Sequence, residues 1–145
     1  MYDINLFKER LKELSEEKGL NDPALAREIG VNSATINGLT RGAHLPSRDT
    51  LYRLTSYFDC SASFLLGLTE DQGKFVEPSA KKFSRILAEE LKAAKKTKYR
   101  LNKDLRISNN QLFLWTNDLS VPSVDSLLKL AEYLDCDLDI LLGQE

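Results

Sequence analysis

The stretch YFDCSASFLLG, Tyr57 to Gly67, returns 76 residues later as YLDCDLDILLG, Tyr133 to Gly143. A recurrence at fixed displacement constrains a fold more than any local pattern, because two copies of one sequence fold alike. Sliding the chain by the same 76 residues brings Phe7 onto Phe83, Leu11 onto Leu87, Leu25 onto Leu101 and Ile29 onto Leu105. Val31 meets Ile107, Ile36 meets Leu112, Leu39 meets Trp115, and PSRDTLYRL from Pro46 meets PSVDSLLKL from Pro122. No gap is needed between residues 7 and 67, so the repeat is a whole domain and not a shared helix.

Both copies read as short helices. Ile4, Phe7, Leu11 and Leu14 make one apolar stripe at helical spacing. GLND then ends that helix on a glycine and opens the next with an Asn or Asp cap, where Pro23 is tolerated in the first turn. PALAREIG places Leu25, Ala26 and Ile29 on one face and stops at Gly30. SATINGLTRG follows, with Val31, Ile36 and Leu39 directed inward. LPS starts a further helix, and SASFLLG supplies a last short turn closed by Gly67. No segment alternates with period two, so strands are not expected. The expected fold is all-α: two tandem five-helix domains, residues 1–68 and 81–145, joined by a linker at 69–80. The linker has a glycine, a proline and mixed charge, with Phe75 and Val76 able to pin it to a domain.

A helix, a turn of three to four residues and a second helix form the informative unit in each copy. Ala26 is small enough for two helices to cross closely, and Gly30 accepts the positive φ of the turn. With Val31, Ile36 and Leu39 holding the second helix down, Ser33, Ala34, Thr35 and Asn37 are left exposed near its start. This is the helix-turn-helix arrangement, whose second member enters the major groove of DNA with its early side chains at base edges.

On LAREIGVNSATINGLTRG, LPSRDTLYRL and SASFLLG, the chain resembles the lambda-repressor-like helix-turn-helix domains of the Cro and XRE type. The resemblance covers both copies. It implies a bacterial or phage transcriptional regulator that binds double-stranded DNA as a two-fold dimer. In a tandem chain the two copies could imitate that dimer, or the chain could form a homodimer. Half-sites would then lie about one helical turn, roughly 34 Å, apart. Carried over by position, the resemblance makes Asn32 a helix cap and Ser33, Ala34, Thr35 and Asn37 reading residues. Arg41, His44 and Arg48 flank a loop that contacts phosphate in the family. Asp22 stands where a glutamine is common, and a carboxylate there would repel phosphate. In the second copy Thr97 is the cap, Lys98 takes the glutamine position, and Arg100 and Lys103 follow. Ser108 caps the reading helix, with Asn109, Asn110 and Gln111 behind it, side chains suited to adenine. The frame departs from the pattern at Asn102 for Ala26, Arg106 for Gly30 and Asp118 for Gly42, so a rebuilt turn is expected there. Phe113 is an unusual residue on a reading helix and suits packing against a partner.

Composition bounds the alternatives. A net charge of −2 argues against a non-specific polyanion binder. Yet residues 81–106 hold ten bases and three acids, while 118–145 hold seven acids and one lysine. No apolar run is long enough to cross a bilayer, the N-terminus has no secretory pattern, and two cysteines give no disulfide framework, so a cytoplasmic protein is expected. Cys60, Cys136 and Trp115 read as core, with Ser61 and Asp137 as caps of the last helices. His44 is the only histidine and no phosphate loop or nucleophile motif occurs, so neither metal, cofactor, small-molecule ligand nor catalysis is expected. The rival to a DNA-binding regulator is a protein-interaction or dimerisation module, antitoxin-like or antirepressor-like, which Asp22 and the altered second turn favour.

Overall fold

In the computed structural model, which describes residues 2–145, the chain forms two compact units, residues 1–76 and 77–145. All regular structure among the described residues is helical, and no helix is long and apolar enough to cross a membrane.

The first unit holds α1 (Ile4–Glu17), α2 (Asp22–Ile29), α3 (Ser33–Thr40), α4 (Arg48–Phe58) and α5 (Ala62–Leu65). Each start carries a side-chain cap for an amide that lacks an intrahelical partner: Asp3, Asn21, Asn32, Ser47 and Ser61. Phe7, Leu11, Leu25, Ile36, Leu39, Leu54 and Leu65 are fully buried and form the core. Each such side chain contributes about 1.5–3 kcal/mol on removal from water. Past α5 the chain stays on this unit. Buried Arg10 donates to the carbonyls of Phe64 and Thr69, and its guanidinium lies 4.1 Å from the Phe64 ring centre. Asp59 accepts from the Phe75 amide at 3.1 Å, and the Phe75 ring meets Tyr52 edge-on.

The second unit holds α6 (Phe83–Ala93), α7 (Lys98–Leu105), α8 (Asn109–Thr116), α9 (Val124–Leu134) and α10 (Leu138–Leu141). The bounds of α7 to α10 are those of α2 to α5 displaced by the repeat length. Its core holds Phe83, Leu87, Leu101, Leu127, Leu130 and Trp115, which is 2% exposed and meets the Phe83 ring edge-on. The Ser79 amide donates to the Gly143 carbonyl and ties the segment before α6 to α10.

Five left-handed backbone positions recur in register: Gly19 with Lys95, Gly30 with Arg106, Gly42 with Asp118, Asp59 with Asp135, and Gly67 with Gly143. The expectation of a rebuilt turn at Arg106 is therefore corrected in its torsions, because Arg106 holds φ 53° where Gly30 holds 77°. What changes is the closure. In the first unit the Gly30 and Val31 amides both donate to the Ala26 carbonyl; Arg106 and Ile107 make no such bonds. Asn102 replaces that closure, donating its Nδ2 to the Ile107 carbonyl and to Asn109 Oδ1. A second correction concerns Asp137, whose side chain makes no cap bond, whereas Ser61 caps Phe64 at 3.0 Å. Cys60 is buried as expected, while Cys136 is half-buried. Burial, the largest cause, together with nearby acids raises the Cys136 thiol to about 11.

Candidate nucleic-acid interface

In the first unit the turn after α2 aims the start of α3 outward. Asn32 spends its side-chain oxygen on the Ala34 amide at 2.7 Å, so it acts here as a cap. Ser33, Ala34 and Asn37 are exposed and Thr35 is half-buried. Ser33, Ala34 and Asn37, with Lys12, Asn21 and Asp22, line a shallow groove of about 840 Å³ between α1, α2 and α3. Lys12, on α1, went unnoticed in the sequence because it belongs to the solvent side of an ordinary amphipathic helix.

Asp22 is bound to α3. Its Oδ2 accepts from Thr40 Oγ1 at 2.8 Å and from Asn37 Nδ2 at 3.3 Å. Asn37 Oδ1 in turn accepts from Arg41 Nε at 2.8 Å. A chain Asp22–Asn37–Arg41 therefore fixes the Asn37 carboxamide at both ends and holds Arg41 along α3. Each end of that carboxamide keeps one further hydrogen-bonding site, the minimum for two-point contact with a base edge. His44 is exposed and its ring packs over Gly38, where an added Cβ would lie 2.5 Å from Nε2. Arg48 is half-buried at the first position of α4, and its Nη1 has no protein partner. Desolvation by burial lowers its pKa from the ordinary arginine value.

The second unit presents different chemistry on the same frame. Lys98, at the place of Asp22, opens α7 and is exposed. Arg100 pairs with Asp104 at 3.1 Å, and Lys103 lies over the Tyr99 ring at 5.5 Å. Ser108 caps α8 through the Gln111 amide at 3.0 Å. Asn110 is open to solvent, whereas Asn109 is held by Asn102 and Gln111 is half-buried against the turn. Phe113, at the place of Asn37, is 55% exposed, and Leu119 and Val121 beyond α8 are 65% and 55% exposed. Leu119 and Val121 went unremarked in the sequence, since aligned Ala43 and Leu45 gave no sign of an open apolar surface.

The comparisons with known proteins agree with this geometry. Residues 10–71 match the family model of the Cro/C1-type HTH DNA-binding domain, and residues 87–141 match a helix-turn-helix family model. Over 72 residues the chain is 31% identical to the uncharacterized HTH-type transcriptional regulator YobD of Bacillus subtilis (strain 168). That similarity spans 50% of this chain and 64% of the relative, so the chain covers under two thirds of that relative's length. No solved structure matches.

Proposed function

We infer, from a chain that belongs to the Cro/C1-type helix-turn-helix proteins and carries that domain twice in tandem, that it is a sequence-specific, duplex-DNA-binding transcriptional regulator of bacterial or phage type. The observation that carries the reading is the preserved helix-turn-helix frame. α2–α3 and α7–α8 keep the same bounds, the same left-handed turn and a solvent-facing start to the second helix. In this reading α3 enters the major groove with Ser33, Ala34, Thr35 and Asn37 at base edges, their methyls and hydroxyls suited to thymine methyls and bridging waters. α8 presents Asn109 and Asn110, with Gln111 behind. Lys98, Arg100 and Lys103, and in the first unit Arg41, His44 and Arg48, hold the phosphates.

Selection from random duplex DNA at low salt tests it. Wild type enriches a sequence, and alanine at Ser33, Thr35 and Asn37, or at Asn109, Asn110 and Gln111, removes the preference that each helix supplies. No enrichment by wild type rejects the reading. Lys98→Ala weakens binding to all sequences and lowers the salt slope by about one, because one phosphate contact is lost. An unchanged slope places Lys98 off the DNA.

A second reading is favoured by one observation, the exposure of Phe113, Leu119 and Val121 on and after α8. In it the second unit docks a protein while the first reads DNA. The selection then loses its preference with the α3 substitutions alone, and Phe113→Ala leaves DNA affinity unchanged.

A further inference from the structure

The two copies differ most sharply behind the turn. In the first unit Arg53, on α4, donates Nη1 to the Ile29 carbonyl at 2.8 Å and Nε to Asp49 at 2.8 Å. Its guanidinium fills the space over the turn so closely that a Cβ on Gly30 would lie 3.0 Å from Nη1. In the second unit the equivalent residue is Lys129, which pairs with Asp125 at 3.1 Å and makes no bond to the turn. The space that the arginine fills in one copy is open in the other, as a cavity of about 390 Å³. That volume lies within the range of small-molecule sites.

The walls of this cavity are rich in donors. Its cations are Arg106 and Lys129, and Ser108, Gln111 and Ser126 add polar side chains. Trp115 also lines it, and its buried indole N–H has no protein acceptor. A buried donor left unpaired is costly and is rare in folded proteins. The Arg106 and Ile107 amides, whose counterparts close the first turn, donate to no backbone carbonyl, and they follow one another through a right-handed then left-handed backbone. Leu105 and Ile107 give the cavity an apolar side.

We propose that this cavity, between the end of α7, α8 and α9, binds a small organic anion: a carboxylate group held by Arg106 and Lys129, with a short apolar tail against Leu105 and Ile107. In the first unit Arg53 fills the equivalent space. The site stands whether or not α8 reads DNA.

Trp115 is the only tryptophan in the chain, so its emission reports the cavity directly. The full chain is titrated with butyrate and, in parallel, with butyramide, which has the same shape and no charge. A saturable change in emission with butyrate below about 10 mM is expected, with none for butyramide. Amide shifts confined to Arg106, Ile107 and the Trp115 indole place the ligand at the turn. Arg106→Gly with Lys129→Arg gives the second unit the pair that closes the first. With an unchanged far-UV circular dichroism spectrum, this variant loses the response by at least about tenfold. Three outcomes each overturn the proposal: no saturable response to butyrate, equal responses to butyrate and butyramide, or an undiminished response in the folded double variant. If the double variant does not fold, the shifts in the wild-type protein decide, and shifts lying elsewhere overturn it.

Discussion

Arg106 occupies a left-handed position that Gly30 occupies in the first unit, and an L side chain there costs about 1 kcal/mol or more. Arg106→Gly removes that strain and returns some of it as unfolded-chain entropy. The expected net stabilisation of the second unit is about 0.5–1 kcal/mol, read as a higher urea midpoint in Trp115 fluorescence. Asn102 behaves in the opposite way, although it too departs from the first copy. Asn102→Ala takes the donor from the Ile107 carbonyl and releases Asn109, so it destabilises by about 1 kcal/mol in the same titration. A change of sign between these two reversions is the test; two effects of like sign contradict the account. From the sequence, both substitutions look like damage to one turn. Only the side-chain bonds show that Asn102 repairs what Arg106 strains. The partners of Asp22 were hidden for the same reason. Its type announces repulsion of phosphate, while its partners Thr40 and Asn37, 18 and 15 residues away, depend on rotamers that no spacing encodes.

Helix bounds were far more legible, because caps and apolar stripes are local. α2, α3 and α5 begin after or at the residues that read as caps, α4 begins just after LPS, and α7 to α10 repeat them in register. α6 is the exception. It starts three residues later than the displaced start of α1, and its own N-cap, Lys82, makes no side-chain cap bond. Its cap comes from a loop 34 residues on: Asp118 accepts from the Ser84 amide at 3.1 Å and from the Ser84 hydroxyl at 2.5 Å. The sequence showed Asp118 only as a lost glycine, since a cap delivered across the fold has no local signature. The Ser84 hydroxyl, then its amide, hold the Asp118 carboxyl below its ordinary pKa. A carboxyl lowered by folding stabilises the folded state above its unfolded value, about 3.9, and that contribution fades as pH falls through the folded value. Ser84→Ala is therefore expected to lower the urea midpoint of the second unit at pH 7, with the deficit shrinking towards pH 3. A deficit that stays constant between these pH values would remove Asp118 from the capping of α6.

At the scale of the chain, the duplication was fully legible and its use was not. Core positions repeat because packing makes the same demand of each unit, as Phe7 with Phe83 and Leu25 with Leu101 show by their burial. Nothing in packing constrains the outward positions, and there Ser33 aligns with Asn109, Ala34 with Asn110, Thr35 with Gln111, Asn37 with Phe113 and Asp22 with Lys98 in the repeat. Two identical subunits read a palindrome because symmetry gives both half-sites the same reader. A chain whose readers differ at every outward position has no such requirement. The sequence selected by the wild-type protein is accordingly expected to be non-palindromic. Adenine is expected in the half-site of α8, since Asn109 and Asn110 lie on that helix. Replacing Asn109, Asn110 and Gln111 with Ser, Ala and Thr, the residues of α3, should make the two half-sites more alike and erase that adenine preference. A palindrome selected by the wild type would mean that two chains meet on the DNA through one kind of reader. A single half-site, indifferent to the replacement, would leave α8 with its exposed Phe113 as a surface for protein.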